Sequence, residues 1–123
     1  VASGGELSRI MLAIKKVLSE NSQLPTIIFD EIDSGVSGEI SNKMAHIMSQ
    51  MSQQMQVITI THLPQIAAKG NQHYKVYKEE LNNTTTTSLK QLSEDERIVE
   101  IAEMLSGKNI SDTAITHARE LLN

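Results

Sequence analysis

The chain has 123 residues, 39% of them apolar, which is enough to bury one real core. Aromatic residues make up 2% and tryptophan is absent, so the core must be aliphatic and methionine-rich, and base stacking is excluded as a main activity of this segment. A formal charge of -4 gives no general attraction to a phosphate backbone, zero cysteines exclude disulfides and thiolate metal sites, and no apolar run approaches the roughly 20 residues that span a bilayer.

Ser3-Gly4-Gly5-Glu6 opens a segment in which Leu7, Ile10, Met11, Ile14, Val17 and Leu18 recur at helical spacing, with Arg9, Lys15 and Lys16 elsewhere on the wheel. The spacing predicts an amphipathic helix. Asn21 to Pro25 breaks it, and Thr26-Ile27-Ile28-Phe29 is a short continuous apolar run, as expected of a parallel strand covered on both faces and ended by Asp30. After the turn-rich Ser34-Gly35-Val36-Ser37-Gly38, a second helical stripe runs through Ile40, Met44, Ile47, Met48 and Met51, and Gln56 to Thr61 reads as another buried strand. Helix, strand, helix, strand is the rhythm of an α/β unit whose active edge lies at the C-terminal ends of its strands. Pro64 to Lys69 forms a candidate short helix, and Tyr74 to Glu79 with Thr85 to Leu92 form two strands of an edge hairpin turned at Asn82-Asn83-Thr84. From Glu94 a helix places Ile98, Ile101, Ala102 and Leu105 on one face until Gly107, and a last helix covers 112 to 122. Without an initiator methionine, and with Val1 leading straight into a glycine-rich motif, the chain reads as an excised piece of a cytoplasmic protein.

Three places carry chemistry. Asp30 and Glu31 end an apolar strand, where one carboxylate can face a metal and its neighbour a water to be activated; a solvated turn or helix cap is the alternative use of such a pair. Ser3-Gly4-Gly5 offers a hydroxyl and bare backbone N–H groups beside the positive end of a helix dipole, which suits a phosphate and equally suits an ordinary N-cap. His62 follows the second strand directly, so it emerges beside Asp30 and Glu31 if the two strands are neighbours, in the position of a γ-phosphate sensor. His46, His73 and His117 read as structural. As zinc ligands, His62, Asp30 and Glu31 lack a local spacing such as H-E-x-x-H.

The order Ala2-Ser3-Gly4-Gly5-Glu6, Ile27-Ile28-Phe29-Asp30-Glu31, Asp33-Ser34-Gly35 and Thr61-His62 resembles the second half of an ABC ATPase: signature, Walker B, D-loop and switch. The longer strings from Ala2 to Arg9, Phe29 to Gly38 and Thr61 to Ala68 are similar to SMC-like members of that superfamily that serve bacterial DNA repair, and the likeness runs from Val1 to about Leu122, including Glu96-Arg97-Ile98 to Met104-Leu105-Ser106-Gly107. The resemblance implies an α/β fold: residues 1–123 as the C-terminal lobe of an ABC/SMC-type P-loop NTPase head, mostly parallel sheet flanked by helices with a small edge hairpin. The N-terminal lobe with its P-loop, and a coiled coil, lie outside the sequence.

It also implies roles. Ser3, Gly4 and Gly5, with Glu6 in the same motif, would meet the γ-phosphate of ATP held by an opposite subunit. Asp30 would hold Mg²⁺ through water, Glu31 would orient or deprotonate the attacking water, Asp33, Ser34 and Gly35, in a D-loop reaching Gly38, would cross the dimer interface, and His62 would touch the γ-phosphate. Such roles match phosphoryl transfer, which needs positioning and charge neutralisation. The implied activity is ATP hydrolysis by a full-length protein in double-strand break repair and recombination, driven by ATP-dependent head dimerisation in the cytoplasm at the nucleoid. The implied partners are a second head, the N-terminal lobe and DNA, with no membrane. Two departures stand out: the first signature position is Ala2 where many ABC proteins carry Leu, which suits the repair-type pattern, and no G-x-x-x-x-G-K-[ST] occurs, so the segment alone is expected to be inactive. The alternatives are a head of another ABC ATPase, either another SMC-type protein or a transporter subunit, and a binding module whose carboxylates serve structure only.

Overall fold

The computed structural model describes residues 3–123. They fall into two compact units, one ending at Lys69 and the other running from Gly70 to Asn123.

The first unit contains α1 (Gly4–Asn21), β1 (Thr26–Asp30), α2 (Gly38–Met51), β2 (Gln56–Ile60) and α3 (Pro64–Ala67). Helix α1 starts where a capping box closes: the Ser3 hydroxyl accepts the Glu6 N–H at 3.3 Å, and the Glu6 carboxylate accepts the Ser3 N–H at 2.7 Å. β-branched and aromatic residues make β1, which pairs in parallel with β2 in the register Thr26↔Gln56 to Asp30↔Ile60. The core is aliphatic and methionine-rich as composition requires: Leu12, Ile27, Val36, Met44, Ala45, Met48, Met51 and Ile66 surround Phe29, the one phenylalanine of the chain. Phe29 is fully buried, worth about 1.5–3 kcal/mol by its transfer from water, and the Lys15 ammonium lies 5.3 Å from its ring centre while donating to the Ile28 carbonyl at 3.1 Å.

Two features of the apolar pattern stand out, the second against expectation. The stripe Leu7, Ile10, Met11, Ile14, Val17 and Leu18 is exposed, and α1 buries Gly5, Ser8 and Leu12 instead. The strands are covered on one face only: Ile27 and Phe29 point into the core, whereas Ile28, Ile58 and Ile60 are each about half exposed.

The second unit holds β3 (Tyr74–Leu81), β4 (Thr84–Gln91), α4 (Glu94–Ser106) and α5 (Asp112–Leu122). β3 and β4 pair antiparallel with each other and with no other strand, so the expected edge hairpin is a separate two-stranded sheet. Its turn is the two residues Asn82 and Asn83, both at positive φ (51° and 60°), the type I′ geometry that matches strand twist; Thr84 belongs to β4. A second capping box, Ser93 with Glu96, starts α4, and Gly107 at φ 79° ends it. Ile101 and Ala102 of α4 are buried with Ala114 and Ala118 of α5. Arg97, also buried, donates to the Gly70 carbonyl at 2.7 Å, and Lys75 pairs with Glu100.

Candidate nucleotide-handling site

All residues of the site lie in the first unit. Because β1 and β2 are parallel and in register, Asp30 and Ile60 stand side by side, and the chain leaves both strands at one edge. The condition placed on His62, that the two strands be neighbours, therefore holds. A backbone bond from Glu31 N–H to the Ile60 carbonyl, 2.9 Å, carries the pairing one residue past β1.

Asp30 and Glu31 are exposed, and neither carboxylate has a hydrogen bond or ion pair among the described residues. Glu31 has φ 49°, in the left-handed region that costs an ordinary residue roughly 1–2 kcal/mol. The following turn is tied down by Ser34 Oγ to the Glu31 carbonyl (3.1 Å) and Val36 N–H to the Asp33 carbonyl (3.0 Å), with Val36 buried in the core. Ser34 and Gly35 are exposed, Gly35 at φ 74°. Asp33 faces inward: only 1% exposed, it accepts the Thr61 hydroxyl on Oδ2, and its Oδ1 has no hydrogen-bond partner among the described residues. Thr61 in turn accepts the Leu63 N–H at 3.0 Å. His62 is 61% exposed, with Nδ1 3.7 Å from Asp33 Oδ1.

The N-terminus of α1 reaches the same loop. Ser8, buried, donates from Oγ to the Gly4 carbonyl at 2.9 Å and to the Ser34 carbonyl at 3.4 Å. Gly5 is buried so closely that an added Cβ would lie 2.9 Å from the Gly35 carbonyl oxygen, and one on Gly35 would lie 3.3 Å from Gly5 N. Ser3 and Glu6 are engaged with each other in the capping box, so the ordinary N-cap reading describes their side chains; the Gly4 and Gly5 N–H groups have no partner among the described residues. Ala2, the first signature position, lies outside the described residues.

Sequence pattern brought Asp30, Glu31 and His62 to one edge, and missed Thr61 and Ser8 as the ties that hold the loop. A polar residue buried in an apolar helix, as Ser8 is, and a threonine immediately before the histidine were the available signals. Of the other histidines, His73 is half-buried, while His46 and His117 sit on exposed helix surface and hold no part of a core. No helix among the described residues is long and apolar enough to cross a membrane.

The fold is that of an SMC-type ATPase head. It superposes on a solved chain from work on ATP-driven dimerisation and DNA-stimulated activation of SMC ATPases with a TM-score of 0.66 at 20% identity, covering 85% of this chain and 63% of that one. The SMC head domain from Thermotoga maritima gives 0.58 at 23% identity over 75% of this chain and 34% of the other. No family model matches the sequence. Curated relatives do: the DNA repair protein RecN of Bacillus subtilis is 47% identical over 122 residues, 99% of this chain and 21% of that protein. Haemophilus influenzae RecN is 42% identical over 123 residues (100% and 22%), and that of Deinococcus radiodurans 48% over 122 (99% and 21%). The chain belongs to the RecN family of DNA repair proteins, and it spans about a fifth of the length of the curated relatives it matches.

Proposed function

We propose that this chain supplies the signature, the water-activating carboxylate, the D-loop and the switch histidine of an SMC-type ATPase head. The complete protein would hydrolyse ATP and act, through ATP-dependent head dimerisation, in DNA double-strand break repair and recombination. The observation that carries the reading is the in-register parallel pairing of β1 with β2, which delivers Asp30-Glu31 and Thr61-His62 to one edge.

In this reading Asp30 holds Mg²⁺ through water. Its exposed, unpaired carboxylate is a hard oxygen ligand, and no three His, Asp or Glu side chains converge on a metal among the described residues. A magnesium ion here would draw its other ligands from water and nucleotide phosphates, as that ion ordinarily does. Glu31 orients or deprotonates the attacking water. His62, with its ring largely in solvent, meets the γ-phosphate. Ser3, Gly4 and Gly5 meet a phosphate bound by a second head; the N–H groups of Gly4 and Gly5, which have no partner among the described residues and lie at the positive end of α1, are the donors suited to it. Ser34 and Gly35 are the exposed part of the D-loop left to face that second head. The lysine and backbone cradle for the phosphates come from the N-terminal lobe, and DNA engages the complete protein.

The test is Glu31→Gln in a full-length RecN carrying this segment. The amide keeps the shape and loses the base, so ATP binding and head dimerisation persist while single-turnover hydrolysis slows by on the order of 10²-fold or more. Hydrolysis at the unsubstituted rate removes Glu31 from this role.

A further inference from the structure

Asp33 belongs by position to the D-loop, yet its carboxylate is turned away from solvent. One oxygen is held by the Thr61 hydroxyl; the other, Oδ1, is buried with no hydrogen bond among the described residues. A buried carboxylate oxygen left without a donor is costly and uncommon in folded proteins. The polar group facing it is the His62 ring, whose Nδ1 is 3.7 Å away, just beyond hydrogen-bond distance. A small swing of an imidazole that is 61% exposed closes the gap.

We infer that Asp33 is a positioning residue for His62: its Oδ1 takes the Nδ1–H of the ring, so the D-loop sets which nitrogen carries the proton and which way Nε2 points. The two nitrogens flank Cε1 and their N–H directions diverge, so a ring whose Nδ1–H meets the buried oxygen carries Nε2 away from it; to donate to a phosphate oxygen Nε2 must hold a proton as well, and the Asp33 carboxylate offsets the charge of that doubly protonated ring. A partner on the second nitrogen is the usual means of fixing a functional histidine. Thr61 holds the carboxylate still from the adjacent residue, and its own oxygen is anchored by the Leu63 N–H. On the other side, Asp33 begins the turn that the Val36 N–H closes, so a displacement of Ser34 and Gly35 shifts the carboxylate that aims His62. The inference rests on the reading of His62 as the γ-phosphate contact, and makes that contact conditional on the state of the loop.

The experiment uses full-length RecN carrying this segment, with ¹⁵N-labelled histidine, as wild type and as Asp33→Asn, Asp33→Ala and His62→Ala. Long-range ¹H–¹⁵N spectra report the tautomer of His62 with and without a non-hydrolysable ATP analogue, and steady-state kinetics report kcat and KM. The wild type is expected to show Nδ1 protonated, and Nε2 protonated as well when the analogue is bound. Asp33→Ala returns the ring to the mixed tautomers of an unrestrained histidine and lowers kcat about 10-fold or more, the scale found when an orienting partner is removed, with KM little changed. Asp33→Asn restores both, because its amide can donate to Thr61 Oγ1 while its oxygen accepts from His62; this variant also serves if Asp33→Ala does not fold. An unrestrained wild-type ring, or Nδ1 protonation that persists in folded Asp33→Ala, overturns the inference. If His62→Ala leaves turnover unchanged while the tautomer still follows residue 33, the phosphate-contact reading fails and the pairing stands.

Discussion

A methyl group on Gly5 would meet the Gly35 carbonyl oxygen at 2.9 Å, backbone against side chain, whereas one on Gly4 would meet the Ser34 carbonyl oxygen at an ordinary 3.6 Å. Gly5 and Gly4 therefore answer differently to the same substitution. Gly5→Ala is expected to lower stability by about 1–3 kcal/mol as α1 and the loop are pushed apart, and Gly4→Ala to change it by less than about 1 kcal/mol in either direction. Urea unfolding of the two variants, followed by circular dichroism, measures the difference; equal midpoints would show that the contact yields freely. The same geometry makes charge at Gly5 a poor probe of phosphate contact, since Gly5→Asp adds a collision to a repulsion. Gly4 is the better place for it.

At this scale the carboxylate pair and the histidine were legible because each sits at a strand end, and strand ends are marked by local apolar runs. The inward turn of Asp33 was not. Its partners are 28 and 29 residues on, Ser8 reaches 26 residues to Ser34, and hydrogen bonds over such distances leave no periodic trace in a single sequence.

Among the elements, the caps and turns were written locally: two capping boxes, the Asn-Asn turn and Gly107 set boundaries to within a residue or two. What local pattern leaves open is direction. The spacing of Leu7, Ile10, Met11, Ile14, Val17 and Leu18 correctly predicts a helix, but periodicity reports that a face is apolar and says nothing about which neighbour covers it. The small residues Gly5 and Ser8 face the loop instead, because the loop backbone approaches too closely for anything larger. In the second unit, β3 and α4 share a polar cluster with a consequence for pH. Burial first, and the Arg97 guanidinium next, hold His73 below its ordinary value of 6.5; Lys75 acts in the same direction and Glu100 against it. An unfolded chain then takes up the proton before the folded one, so stability is full above about pH 6.5 and falls as pH drops through the lowered value. Urea midpoints between about pH 5 and pH 8 should show that fall, and His73→Gln should flatten it. An identical slope in the variant would assign the dependence to another group.

Across the whole molecule, the described residues divide at Lys69 and Gly70, and every candidate site residue lies on the first side of that division. That side also carries Ile28, Ile58 and Ile60, each about half exposed. No phosphate-binding loop motif occurs anywhere in the 123 residues, so the segment by itself holds no cradle for the β- and γ-phosphates. The isolated chain is expected to show no ATP binding by calorimetry at micromolar nucleotide, and no hydrolysis. A micromolar dissociation constant would mean that the signature and the carboxylate edge can hold nucleotide without a second lobe.

The backbone of Glu31, at φ 49°, bears on what kind of position this is. Glycine would adopt that conformation without the roughly 1–2 kcal/mol that a side chain costs there, and would lose about 0.5–1 kcal/mol through its greater freedom when unfolded. The first effect is the larger, so folding alone would favour glycine over glutamate at the end of β1 by up to about 1.5 kcal/mol. A residue that folding would as soon replace by glycine, exposed and without a side-chain partner among the described residues, is one whose carboxylate the folded unit does not use for its own stability.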